Sequence, residues 1–194
     1  DSNTGITFPS ADTIKLSTGG VERMSITNSG VSGTGLGKIG QVLQTVKTDT
    51  FSKNQSSYAD ITGMNVDITP VATSSKVLVL VDLKIGSDHG DSDYNIKIVR
   101  GSTDIYIGDS ASSRRSSSFG VARFFGAGTD GGSALQQVSL NFLDSPNTTS
   151  ATTYKLQIIN VGGRTNFVNR TGTDTDAQNF PRTASSITVL EVLA

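Results

Sequence analysis

The sequence predicts an all-β protein, a jelly-roll-like β-sandwich head preceded by a short fibrous β-stalk. Three observations carry that prediction. Segments of roughly five to ten residues with period-2 alternation recur between Gly, Pro, Asn, Asp and Ser turns along most of the 194 residues. Helical periodicity is missing from every window of about 11 residues. The composition agrees: 21 Gly, only 4 Pro and a charged fraction of 17% describe a turn-rich, strand-rich chain and neither a helical bundle nor a disordered tail.

Residues 1–33 read as the stalk. Ile6 and Phe8 precede Pro9, Ile14 and Leu16 precede Gly19-Gly20, and Met24 and Ile26 precede Asn28-Ser29-Gly30. Strands this short lack the apolar surface to fold alone, so something repeated alongside must cover them, most simply the same segment of sister chains. Residues 34–40 read as a hinge, because four glycines fall between Gly33 and Gly40. The same run suggests a phosphate loop only superficially. That motif needs Gly where Ser32 stands and Ser or Thr where Ile39 stands, and no helix pattern follows.

Residues 41–194 read as the head. Strands are expected at 41–48, 57–64, 65–69, 76–85, 93–100, 104–108, 121–125, 134–143, 153–161, 164–168 and 186–193, at the regular spacing of a β-sandwich. The most apolar of them places Val77, Val79, Val81, Leu83 and Ile85 on one face. Its other face starts with Leu78 and Leu80 before turning to Asp82 and Lys84, so half of this strand needs cover on both sides, which another subunit would supply. The last strand, Ile187 to Leu193, is too apolar to fray and must be held in a sheet or between subunits. Glu191 shares the parity of Ile187, Val189 and Leu193. It either marks a rim or finds a buried partner, and the rim is the expectation.

Several function classes are disfavoured by composition. The net charge is −1, and Lys and Arg are scattered apart from Arg114-Arg115, so the basic footprint of a nucleic-acid binder is missing. With no cysteine there are no disulfides, thiol nucleophiles or thiolate metal sites. The longest apolar run, Val77 to Val81, falls far short of the roughly 20 residues of a membrane-spanning helix, and no membrane insertion is expected. The chain opens at Asp1 without Met and reads as the C-terminal part of a longer polypeptide.

Gly5-Ile6-Thr7-Phe8-Pro9-Ser10-Ala11-Asp12-Thr13-Ile14, followed by Thr18-Gly19-Gly20-Val21-Glu22-Arg23-Met24-Ser25-Ile26, resembles the stalk repeat of tail fibres and structural proteins of tailed bacteriophages. Thr73-Ser74-Ser75-Lys76-Val77-Leu78-Val79, Val99-Arg100-Gly101-Ser102-Thr103 and Ser185 to Glu191 are similar to the C-terminal domains of such fibres. The resemblance implies a homotrimeric fibre, its stalk strands wound about a threefold axis. It also implies a virion location, outside the host cell, with upstream tail or fibre proteins as partners. Its tip would bind a bacterial surface receptor: lipopolysaccharide, capsular glycan or an outer-membrane protein. Period-2 alternation itself shows a buried face and does not fix the number of chains.

Of the chemical constellations, Asp88-His89-Gly90-Asp91-Ser92-Asp93 is the densest acidic cluster. Asp88, Asp91 and Asp93 are the weak candidate for a calcium loop, but the EF-hand spacing is missing and a solvated loop is the expectation. The single histidine, without a Gly-x-Ser-x-Gly elbow, makes a Ser-His triad improbable, and the glycan-cleaving fibre enzymes usually need a longer, groove-bearing β-helix. The reading is therefore a binding protein and not an enzyme, with no cofactor. Arg114, Arg115, Phe119 and Arg123 form one Arg-aromatic segment suited to an anionic glycan, since guanidinium grips carboxylates and phosphates bidentately; the alternative, a solvated arginine rim with Phe124 or Phe125 in the core, is the expectation. Asn166, Arg170, Asn179 and Arg182 form a second such group between strands, in long loops that can equally pack against a neighbouring subunit. The rival readings are a structural head or baseplate protein of the virion and, behind it, a glycan-degrading fibre enzyme.

Overall fold

The structure is a computed structural model that describes residues 3–28, 30–33, 38–54, 56–123, 130–160 and 162–193. The chain divides into two compact units, Asp1–Lys38 and Ile39–Ala194.

The first unit is an antiparallel meander of β1 (Gly5–Thr7), β2 (Ile14–Thr18), β3 (Val21–Thr27) and β4 (Gly30–Gly33), paired in that order. Thr18 pairs with Val21 across Gly19-Gly20. Both glycines take positive φ, 61° and 75°, as a two-residue type I′ hairpin requires. The four strands pair with one another within the chain, leaving β1 and β4 as the edges of the sheet. Side-chain burial is another matter: Ile6, Phe8, Val21, Ile26 and Val31 are all exposed, and the only fully buried residue described in this unit is Ser25.

The second unit is a jelly roll. One sheet contains β5 (Ile39–Lys47), β15 (Ser185–Val192), β8 (Lys76–Ser87) and β12 (Leu135–Asp144), side by side in that order. The other contains β7 (Ala59–Ile68), β13 (Thr152–Asn160), β9 (Tyr94–Arg100) and an edge lane made of β10 (Thr103–Ile105) and β11 (Phe119–Val121). With the lanes counted in chain order, the sheets read 1-8-3-6 and 2-7-4-5, all antiparallel, which is jelly-roll topology. β6 (Phe51–Lys53) and β14 (Asn166–Val168) pair with each other, and β14 also pairs with the end of β8. A 3-10 turn, Asp130–Ser133, precedes β12.

Alternation decides what lies between the sheets. Val77, Val79, Val81, Leu83 and Ile85 of β8 face Ile96 and Ile98 of β9 and Tyr154, Leu156 and Ile158 of β13 in one buried cluster. Two lanes carry excursions. Residues 106–118 leave the edge lane between β10 and β11, and Tyr106 at their start stacks on Phe142 of β12, with ring centroids 5.1 Å apart. Residues 169–184 leave the lane between β14 and β15 and cross β8 at Gly86, where a Cβ would sit 2.1 Å from the Arg170 carbonyl oxygen.

Some expectations change. The two strands read at 57–64 and 65–69 are one strand, β7, with an irregularity at Gly63 (φ 80°) that shifts the register opposite Lys155 and Gln157. Ile39 and Gly40, read as hinge, open β5, because Ile39 pairs with Val192; residues 34–37 of that hinge lie outside the described residues. The strand read at 104–108 stops at Ile105, since Tyr106 takes a φ of 53°. Glu191 is not at a rim. It is fully buried and accepts hydrogen bonds from Gln41 Nε2 at 2.6 Å and from the Val71 N–H at 2.7 Å. Burial pushes its carboxyl pKa up, but Gln41, the Ser75 hydroxyl and the Val71 amide together outweigh burial and hold it below the ordinary value.

Candidate functional site

Register fixes which loops share an end. Tyr94 at the start of β9 pairs with Asn160 at the end of β13 and with Val121 at the end of β11, while Ser87 pairs with Asn166, which pairs with Lys53. The strand ends at Lys53, Ala59, Ser87, Tyr94, Val121, Leu135, Asn160 and Asn166 therefore gather at one end of the sandwich. The connections 69–75, 101–102 and 145–151 lie at the other. There Arg100 pairs with Thr103 around Gly101 (φ 58°), a two-residue turn with the positive φ a tight hairpin needs.

Beside the long-loop end, on the outer face of the β9 sheet, lies a shallow depression of about 510 Å³. Arg114 and Arg115 rim it from the 106–118 excursion, which is held by a bridge between Ala111 and Arg114 and by Gly108 N–H donating to the Ser117 carbonyl at 3.3 Å. Asn95, Ser117 and Gly120 form its floor. Ser117 donates to Asn95 Oδ1 at 3.1 Å, and Gly120 is where a Cβ would come within 2.5 Å of that same oxygen. Neither arginine forms an ion pair among the described residues. Burial raises the pKa of Tyr58; the Arg115 cation opposes that rise without cancelling it, and the Asp104 carboxylate adds to it. Two solvated guanidinium groups over a polar floor suit a carboxylate or phosphate with neighbouring hydroxyls.

The other expected site residues do not gather there. Phe119 points inward and packs on the core, tilted 35° against Tyr94 at 6.2 Å. Arg123 is exposed, and the expected strand at 121–125 is instead β11 at 119–121, with 124 and 125 outside the described residues. Asn166 is buried. Its Nδ2 donates to Ser92 Oγ at 2.8 Å and its Oδ1 accepts from Asn160 Nδ2 at 2.6 Å, so it satisfies an internal network and cannot touch a ligand. Arg170 lies over the Phe167 ring, 3.7 Å from its centroid, and donates to the carbonyls of Thr171 and Gly172. It fastens its own loop. Arg182 is more exposed but binds Asp174 at 2.5 Å, and Asn179 is exposed in the same excursion.

The acidic loop is likewise turned inward. Asp88 accepts the Thr165 N–H, Asp93 accepts the Gly162 N–H at 2.6 Å, and Asp91 lies beside His89, whose Nδ1 accepts the Asp91 amide at 3.0 Å. Asp88 and Asp93 stitch 88–93 to 162–165, while Asp91 stays with His89 of its own loop, and among the described residues no group of three His, Asp or Glu side chains converges on one point. Ser87 Oγ donates to the Thr165 carbonyl and accepts the His89 amide, and Ser92 Oγ accepts from Asn160 and Asn166, so these bonds leave both hydroxyls away from the imidazole.

Sequence reasoning overlooked a second surface. Across the outer face of the β8 sheet the register aligns Val42, Leu190, Leu78 and Leu143 in one row. Val42 is 57% exposed and Leu143 45%; Leu80 stands exposed in the next outward row and Val46 in the row beyond it, opposite Ser186 and Asp82. Leu78 and Leu80 signalled half of this surface; the cross-strand register that completes it is not visible in sequence.

The chain matches no family model and no curated protein. Among solved structures it is similar to T=1 particles derived from infectious bursal virus, at 14% identity and a TM-score of 0.41, over 94% of this chain and 46% of that one. It is similar also to the Gt strain of infectious bursal disease virus, at 14% identity and a TM-score of 0.42, over 93% of this chain and 50% of that one. The VP2 subviral particle of the same virus gives 14% identity and a TM-score of 0.38. This chain spans about half the length of those chains. Likeness at that level carries no argument about function, and the jelly-roll assignment rests on this chain's own strand register.

Proposed function

We propose that this chain is a non-enzymatic structural component of a virus particle that works as an assembled oligomer. One observation carries the reading: the β1–β4 meander exposes Ile6, Phe8, Val21, Ile26 and Val31 and buries no apolar side chain among its described residues. A four-stranded sheet without a covered face is not independently stable in water, so its neighbours complete it. The exposed aliphatic row of the head is a second surface of the same kind. Resemblance of the stalk repeats to tailed-phage fibres supports a homotrimer on the outside of the virion, joined to upstream fibre or tail proteins. The native mass of the purified chain tests this: a stable oligomer supports the reading and a stable monomer defeats it.

A second reading, host attachment by the tip of a tail fibre, is favoured by Arg114 and Arg115 beside their polar depression. The ligand class is an anionic surface glycan such as lipopolysaccharide, with an outer-membrane protein as the other candidate receptor. Multivalent display on an oligomer would convert weak single contacts into durable adhesion. Binding of the intact chain to host cells before and after removal of surface glycan tests it, and unchanged binding would exclude a glycan receptor.

A further inference from the structure

We propose that β5 and the aliphatic row beside it form the head's docking surface for a second copy of this chain. This rests on the oligomeric reading above and names the surface that serves it.

The exposed apolar side chains of the head are not scattered. Among the described residues of the second unit, the large exposed hydrophobics are Ile39, Val42, Leu43, Val46, Val71, Leu80, Tyr106 and Leu143. Six of these eight lie on β5 or on the outer face of its sheet. The opposite sheet presents the reverse: Asp60, Asp67, Lys97, Asp104 and Lys155 line its outer face, with Lys155 on Asp60 at 2.8 Å and Lys97 on Asp104. One face of the sandwich is therefore finished for water and the other is not.

β5 is also an edge among the described strands. It pairs with β15 on one side only; a register irregularity interrupts its first residues, between Ile39 and Val42, but the stretch Ile39 to Val46 contains no charge and no proline. Soluble proteins protect such edges with lysines, prolines, bulges or a covering element. Here Leu43, which shares the inward parity of Val189, is still 37% exposed, so the sandwich is left unsealed along this strand.

Three features select a second copy as the occupant. The surface is low in charge: Asp82 and Lys84 pair with each other and Lys76 stands at its end, so it offers little to a strongly charged partner. The coreless meander of the first unit needs neighbours too, and one kind of neighbour, another copy, completes both. Only five residues separate Gly33 of β4 from Ile39, so copies gathered through the meander hold their β5 edges at high effective concentration.

The test uses the intact chain, which has no cysteine of its own. Val46→Cys reports on the proposed surface and Thr62→Cys on the outer face of the opposite sheet. In the purified oligomer, maleimide should modify Cys at position 46 at least about tenfold more slowly than Cys at position 62. A Val42→Lys change should remove that protection and weaken association by at least about tenfold. Purified protein contains no other partner, so protection can come only from copies. Equal reaction rates in a sample whose native mass is oligomeric would overturn the docking surface and leave the oligomeric reading standing. A monomeric native mass would overturn both.

Discussion

Tyr154 donates its hydroxyl to Asp144 Oδ2 at 2.6 Å, which ties a strand of one sheet to a strand of the other. Arg100, from the Tyr154 sheet, donates Nη1 to both oxygens of the same carboxylate, at 2.9 and 2.8 Å. Asp144 is 5% exposed, so this ion pair is largely shielded from water. Burial, reinforced by the Asp144 hydrogen bond, raises the Tyr154 hydroxyl far above the ordinary tyrosine value, so it stays a donor throughout the working pH range. Asp144→Ala orphans both partners and should cost about 3–5 kcal/mol. Tyr154→Phe leaves the ion pair intact and should cost about 1 kcal/mol. Urea unfolding checks both, as a lower midpoint at unchanged slope.

Glu191 should make the head acid-sensitive. Its folded pKa lies below the ordinary 4.5, so the carboxylate contributes stability that is fully present above about that pH. The contribution is lost as pH falls through the folded pKa. Glu191→Gln should destabilise by about 1–3 kcal/mol at neutral pH, because an amide NH₂ faces donors from Gln41 and Val71. The gap between wild type and variant should close as the pH falls below 4.5. Thermal melts of both proteins from neutral to acid pH measure that convergence, and a constant gap would contradict it.

Asn166 and Arg114-Arg115 should separate cleanly into stability and recognition. Asn166→Ala leaves Asn160 and Ser92 short of a partner in a buried network and should cost about 1–3 kcal/mol. The double change Arg114→Ala with Arg115→Ala removes exposed cations that form no ion pair among the described residues and should move stability by no more than about 0.5 kcal/mol. Any affinity for anionic glycan should fall with it, along with the salt dependence of that affinity. Glycan-array binding at two salt concentrations, beside melts of the same samples, checks the separation.

Gly86→Ala should act on the 169–184 excursion. A methyl there meets the Arg170 carbonyl at 2.1 Å and the Thr171 Cα at 3.1 Å, both backbone atoms that cannot rotate away. The loop must lift, at a cost of about 1–3 kcal/mol. Faster limited proteolysis within 169–184, with the rest of the head still protected, is the expected result.

Much of the head was legible because its strands alternate cleanly. β8, β9, β12, β13 and β15 each begin within one residue of where period-2 reading starts them, since Val77 to Ile85 and Tyr154 to Ile158 leave one face no choice. What escaped depended on partners far away in sequence. β6 is three residues long and exists because β14 pairs with it. Glu191 looked like a rim residue because Gln41 and Val71, the groups that satisfy it, lie 150 and 120 positions away. Asn166 and Arg170 looked like ligand-facing residues because their composition suits glycan, but the same hydrogen-bonding capacity serves a folded loop equally well. Arg114 and Arg115 were found by their clustering, while Asn95, Ser117 and Gly120 beneath them come together only through pairing of β9 with β11.

The most direct measurement is the native mass of the purified chain by sedimentation equilibrium over a hundredfold dilution. An oligomer that persists throughout, with a trimer as the expected size, is the predicted result. A sedimenting species of 20.2 kDa at every concentration would show that the exposed faces of the meander and of β5 need no partner, and would contradict the account at its base.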